Sequence, residues 1–191
     1  MSWRPSARAL AYHGAIAGLA AALTHVCVIL LIPVYASRDA FARLVPLAEL
    51  QTTAALAQAG PGERLLPFLD PAVASAFCRY DLAAGPLRVR APVGRAGFLA
   101  LSFHSRRGAV FYALTDRAAT RGALEALVAT PEQAKILAAK DAEDEANQDL
   151  RVVSPSAEGF ILVRAFSELP SLYDSALAQA KELTCETEPL P

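Results

Sequence analysis

The chain has 191 residues, 54% of them apolar, with 18 Lys and Arg against 19 Asp and Glu, a formal net charge of -1 and three histidines. That balance excludes a polybasic nucleic-acid binder and an acidic tail protein. Once an apolar leader is set aside, about 155 residues remain, enough for one soluble domain with a sizeable core.

Residues 1–8 read as a short basic tail, followed by an uncharged run of 28 residues from Ala9 to Ala36. As a helix, Leu10 to Ile32 alone covers about 35 Å and crosses a bilayer. Arg4 and Arg8 precede the run, so the positive-inside rule places the N-terminus in the cytoplasm. The long C-terminal part translocates largely regardless of Arg38 and Arg43, which Asp39 and Glu49 accompany. The expectation is a single-pass inner-membrane protein with its C-terminal domain in the periplasm. A cleaved signal peptide competes, because Val34-Tyr35-Ala36 before Ser37 resembles a small-residue cleavage site. The run is well beyond the usual ~7–15 residues of a signal h-region, which favours a retained anchor.

Within this run Gly14 and Gly18 form a GxxxG pair, and Ala21 and His25 continue the same helical face. Small residues let a second backbone approach closely, and an imidazole near mid-membrane is costly against lipid. Three alternatives stay open for this face: packing on another transmembrane protein, unspecific anchoring with His25 bonded to a backbone carbonyl, and ligation of a metal, haem or pigment. The last has only a single axial histidine behind it, so no cofactor is expected.

Residues 37–66, within "SRDAFARLVPLAELQTTAALAQAGPGERLLPFLDP", read as a helix leading into a linker. Ser37 is the expected N-cap with Asp39 in the first turn, Phe41, Leu44 and Val45 recur at helical spacing, and Pro46 kinks or ends the helix. Gly60-Pro61-Gly62, Pro67 and Pro71 mark the entry to a domain at residues 67–191.

From Arg79 the period changes, and "RYDL", "LRVRA", "GFLALSF" and "AVFYALT" predict strands separated by turns, expected as an antiparallel meander. Leu99, Leu101 and Phe103 share one face of the third run, while Phe98, Ala100, Ser102 and His104 share the other. In "RYDL", Tyr80 is expected in the core, with Arg79 and Asp81 paired outside it. A strand over Ala123 to Ala129 leads into Thr130-Pro131-Glu132-Gln133, a capping box with Pro at N1, and so into a helix reaching about Ala142. "LRVV" and "EGFILVRAF" give two more strands, and "LPSLYDSALAQAKEL" a closing helix started by Pro170. The fold class is α+β: a transmembrane helix, then an antiparallel sheet domain with two or three packing helices.

Cys27 lies in the apolar helix and is simplest as packing, whereas Cys78 and Cys185 fall just before the first strand and just after the last helix. In an oxidising compartment they invite a disulfide that pins the last helix to the sheet, with two separate buried thiols as the alternative.

The stretches "DPAVASAFCRYDLAAGPLRV", "GFLALSFHSRRGAVFYALTD" and "EGFILVRAF" resemble the bacterial family catalogued as domain of unknown function 1254, in its short membrane-anchored form, over roughly residues 66 to 185. In longer members this domain precedes a second one of unknown function, numbered 1214. The resemblance implies a separate small membrane protein that supplies that partner, and it brings no catalytic residue.

His104 is the only histidine outside the apolar helix, which excludes a multi-histidine metal site there. No nucleophile elbow surrounds Ser102 or Ser105, and no phosphate-cradling glycine loop is present. The bland expectation for His104 is a hairpin-end residue touching solvent or a neighbouring strand. Seven arginines lie between Arg88 and Arg121 against one acid, Asp116, while Glu125 to Asp149 holds seven acids and two lysines. Either Arg88, Arg90, His104, Arg106 and Arg107 offer an anion-binding face, or the two segments neutralise each other as surface pairs. Two functions of different class follow: a noncatalytic membrane-anchored component of a membrane protein assembly, and a binding protein or hydrolase for an anionic small molecule.

Overall fold

An unbroken apolar run leaves the backbone of the leader nothing to bond but itself, and it forms α1, Ala7–Tyr35, whose first turn is tied to the Ser6 hydroxyl through Ala9 N at 3.3 Å. Its apolar side chains lie all round the axis, and no residue in its most apolar window is buried. Ala7–Ile32 is long and apolar enough to cross a membrane. The computed structural model describes residues 6–35, 39–60, 62, 65–66, 69–94, 98–143 and 149–190, and the chain divides into two units, residues 1–37 and 38–191.

The second unit is α+β. Its strands are β1 (Thr53–Ala55), β2 (Val73–Asp81), β3 (Leu87–Pro92), β4 (Leu99–Ser105), β5 (Val110–Thr115), β6 (Ala123–Ala129), β7 (Arg151–Val153), β8 (Glu158–Phe166) and β9 (Thr184–Thr187). Three helices join them: α2 (Ala40–Leu44), α3 (Pro131–Glu143) and α4 (Tyr173–Lys181). The expected meander is corrected to two sheets, ordered β1-β2-β8-β4-β5 and β7-β6-β3-β9, in which β6 and β7 are the one parallel pair among the described strands. Of the four runs read as consecutive neighbours, only β4 and β5 pair as a hairpin. Between β2 and β3 the chain changes sheet at Gly85, where φ is 144° and a Cβ would fall 2.3 Å from the Glu188 carbonyl oxygen. A turn signal in sequence does not say which sheet receives the next strand.

The inner faces of both sheets meet in one core, with Ala76 and Tyr80 from β2, Leu101 and Phe103 from β4, and Leu87 and Val89 from β3 all buried. Tyr173, Ala176 and Ala180 of α4 join it. A second cluster forms on the outer face of the first sheet, where Phe41 and Leu44 of α2 pack with Leu56, Phe77, Phe160 and Leu162. Phe160 to Val163 are therefore buried without alternation, since this central strand is covered on both faces. On the outer face of the second sheet, Leu127 and Ala129 meet Leu137 of α3. The capping box forms as read, with Gln133 N bonded to Thr130 Oγ1 at 3.2 Å and Gln133 Oε1 accepting from Thr130 N at 2.9 Å.

Several boundaries are corrected. The first long strand begins at Val73, so Cys78 lies inside β2, and Cys185 lies in β9, a strand that the composition "TCET" does not announce. β1 also falls in the stretch read as linker. Both are short edge strands that exist because β2 and β3 present unpaired backbone to them. Cys78 and Cys185 form a disulfide with Cα atoms 6.6 Å apart, and it ties the two sheets rather than the last helix to a sheet. Ser37 lies outside the described residues, and the side chain that caps α2 is Asp39, accepting from Ala42 N at 2.8 Å. Val45 begins a 3-10 turn that carries Pro46. Arg79 and Asp81 do not pair: Arg79 reaches the carbonyls of Val45 and Ala48, and Asp81 caps the turn after β2 through Ala83 N.

Candidate functional site

Side chains that leave β2, β8 and β4 on the outer side of the first sheet are covered only in part by α2. Phe41 of α2 is held there by two cations, the Arg79 and Arg106 guanidinium carbons lying 5.6 and 4.2 Å from its ring centroid. Arg79 Nη1 donates to Val45 O at 3.0 Å and Ala48 O at 2.9 Å, and Arg106 faces Asp39 at 3.6 Å and Glu158 at 3.4 Å. Beside this clamp opens a cavity of 520 Å³, floored by Phe160 and Leu162 and walled by Ala40, Leu66, Leu69 and Val73. Its polar lining comes from Asp70, Ser75, His104 and Arg164.

His104 sits at an irregularity in the β4–β5 pairing, where the register shifts between Phe103 and His104. Of the two expectations for it, solvent or a neighbouring strand, the second holds: it is buried against β8, where its register partner Phe160 stacks on the ring with centroids 4.4 Å apart and planes 11° apart. Nδ1 lies 3.2 Å from Gly108 O, and a carbonyl only accepts, so Nδ1 carries the proton. Nε2 then lies 3.0 Å from the Ser102 hydroxyl, whose single proton it shares with Leu162 O at 3.3 Å. Burial lowers the His104 pKa from its usual 6.5, the bond to Gly108 opposes this, and the nearby Arg164 charge adds to the lowering. A neutral imidazole beside a serine hydroxyl is the pair a serine nucleophile uses, but here the Leu162 carbonyl competes for the hydroxyl proton. Among the described residues, however, His104 lines the cavity and Ser102 does not.

Behind β4, the Tyr80 hydroxyl lies 3.2 Å from His104 O and 3.1 Å from the Ser154 hydroxyl. Burial, against the Ser154 bond, pushes the Tyr80 pKa up to about 12, so it stays a neutral buttress of the His104 backbone.

The five residues read as a possible anion-binding face are not brought together. Arg88 and Arg90 lie on β3 of the second sheet. Arg88 bonds Glu188 and reaches Asp149 at 2.7 Å, and those partners, Glu188 first, hold its pKa above the ordinary value. Arg90 meets Glu125, its cross-strand partner, at 2.8 Å. The arginine-rich and acid-rich segments thus neutralise each other at these positions. Arg106 serves the α2 clamp, and Arg107 is an exposed turn residue. Arg164, which the sequence reading missed, lines the cavity and has no ion-pair partner among the described residues. The one signal for it is a lone cation inside the apolar run "FILVRAF".

In α1, Gly14, Gly18, Ala21 and His25 are exposed, and a Cβ at either glycine would meet nothing within 4 Å. Cys27 is a free thiol on this helix. No group of three or more metal-ligating side chains occurs among the described residues.

Residues 51–187 match the model of a family described as a protein of unknown function, DUF1254. No curated protein matches the chain. Among solved structures, the VPA0106 protein from Vibrio parahaemolyticus superposes with a TM-score of 0.53 at 16% identity, over 78% of this chain and 34% of that one. A putative uncharacterized protein from Burkholderia cenocepacia gives a TM-score of 0.42 at 14% identity, over 78% and 47%. The chain thus spans a third to a half of the length of these two, and the first likeness is one of fold.

Proposed function

This chain belongs to the DUF1254 family, and from that premise we propose that it is a noncatalytic, membrane-anchored domain acting as a component of a membrane protein assembly. On this reading α1 spans the inner membrane with the N-terminus in the cytoplasm, and the α+β unit stands in the periplasm. The observation that carries it is the stripe Gly14, Gly18, Ala21 and His25 on a span with no charged residue from Ala9 to Ala36. The partner is another transmembrane protein, and the family resemblance makes one carrying the domain of unknown function 1214 the first to seek. The disulfide between Cys78 and Cys185 supports residence in an oxidising compartment.

The test is association in the membrane. Full-length protein extracted in mild detergent is expected to retain a stoichiometric membrane partner, and Gly18→Ile is expected to lose it while the α+β unit keeps its disulfide and circular dichroism. An unchanged partner in Gly18→Ile sinks the helix-packing reading. A fluorophosphonate probe is expected to leave Ser102 unmodified, and labelling of Ser102 would instead support a hydrolase.

A further inference from the structure

We propose that the cavity on the outer face of the first sheet binds a small apolar monocarboxylate, with Arg164 and Ser75 holding the carboxylate and Phe160 and Leu162 receiving the apolar body.

The placement follows from the sheet. Ser75 and Arg164 are register partners across β2 and β8, so their side chains leave the same face side by side, and both line the cavity. Neither side chain has a hydrogen-bond or ion-pair partner among the described residues, although Ser75 is only 5% exposed. A buried hydroxyl and an exposed guanidinium, register partners that line the same cavity over an apolar floor, leave donors free for one ligand. The other arginines of this region are committed: Arg79 to carbonyls, Arg106 to Asp39 and Glu158. At 520 Å³ the cavity lies in the range of small-molecule sites, which are largely apolar with a few placed polar groups.

The lining also sets the charge of the ligand. His104 has both ring nitrogens engaged and brings no positive charge, which leaves Arg164 as the one cation among the described lining residues. Asp70 is the one acid among them, with Oδ1 accepting from Ala72 N at 2.8 Å. One guanidinium matches the charge of one carboxylate, whereas a dianion such as a phosphate monoester would leave a charge uncompensated in this lining. The flat Phe160 ring and the Leu162 side chain match an aryl or alkyl body.

This inference is independent of the helix partner, so the two fail separately. 3-Phenylpropionate is titrated calorimetrically into the full-length protein in mild detergent, with phenethylamine as the cationic counterpart of the same size. The expected result is saturable binding of the acid, none of the amine, a tenfold or greater loss in Arg164→Leu, partial retention in Arg164→Lys and a loss of severalfold in Ser75→Ala. Val73→Trp, which fills the wall, is expected to abolish binding with the disulfide intact. Gly18→Ile is expected to bind the acid as the parent does. No binding by the parent, equal binding by Arg164→Leu, or preference for the amine would each overturn the proposal, the last by making Asp70 the recognising group.

Discussion

Gly159 of β8 and Tyr80 of β2 are register partners with no room between them: a Cβ on Gly159 would fall 2.3 Å from the Tyr80 hydroxyl oxygen and 2.3 Å from the His104 carbonyl oxygen. The missing side chain is what lets the tyrosine cross behind β8 and buttress the strand that carries His104. Gly159→Ala is therefore expected to cost about 1–3 kcal/mol or more, as overpacking does. Tyr80→Phe, which keeps the ring and gives up the two oxygen contacts, is expected to cost about 1 kcal/mol. Denaturant unfolding checks both, and a Gly159→Ala protein as stable as the parent would show that β8 shifts freely.

The bridge between Cys78 and Cys185 joins strands of different sheets 107 residues apart. In the chain-entropy description a loop of that length is worth roughly 4–5 kcal/mol. Reduction, or Cys185→Ser, is expected to lower the denaturation midpoint by a comparable free energy. Equal midpoints with and without reductant would mean that the sheets hold each other unaided.

His104 gives the α+β unit a pH dependence of known sign. Its folded pKa lies below the ordinary 6.5, because burial penalises the imidazolium. The unfolded chain then binds the proton more readily than the folded one. The stabilisation is complete above pH 6.5 and is lost as pH falls below 6.5 toward the folded value. Unfolding free energies taken down this window are expected to fall in the parent and to fall less in His104→Gln. Identical slopes in the two proteins would place the proton elsewhere.

Arg79 and Arg106 both lie against Phe41, yet their substitution is expected to cost different amounts. Arg79 donates to two backbone carbonyls and keeps α2 on the sheet, so Arg79→Leu is expected to cost about 2–3 kcal/mol. Arg106 makes two longer contacts with acids and is half exposed, so Arg106→Ala is expected to cost under about 1 kcal/mol. The reverse order, measured by thermal unfolding, would show that cation contact with the ring outweighs the carbonyl bonds.

Much of the architecture was open to reading from local pattern. The 28 uncharged residues from Ala9 admit a membrane-length helix, alternation placed Leu99, Leu101 and Phe103 on one face, and Thr130 to Gln133 marked a helix start that forms as read. These features are decided within a few residues of chain, by helix length, strand period and capping chemistry, and a sequence displays them directly. Pairing is different. β1 and β9 are short strands without β-rich composition, ordered by the edges they add to, and the sheet to which β3 belongs is set by contacts with β6 and β9 far along the chain. The candidate site was hidden for the same reason. Arg88 and Arg106 stood out by local charge density and turned out to be partnered, whereas Arg164 became a lone cation only when β8 was laid between β2 and β4, opposite Ser75 and over a cavity that α2 leaves open. The apolar span, the strand faces and the helix caps follow from the chain read alone, because each depends on neighbours a few residues away. The two-sheet pairing, the reach of the disulfide and the charge left without a partner among the described residues arose only on folding, because each depends on residues that the fold alone makes neighbours.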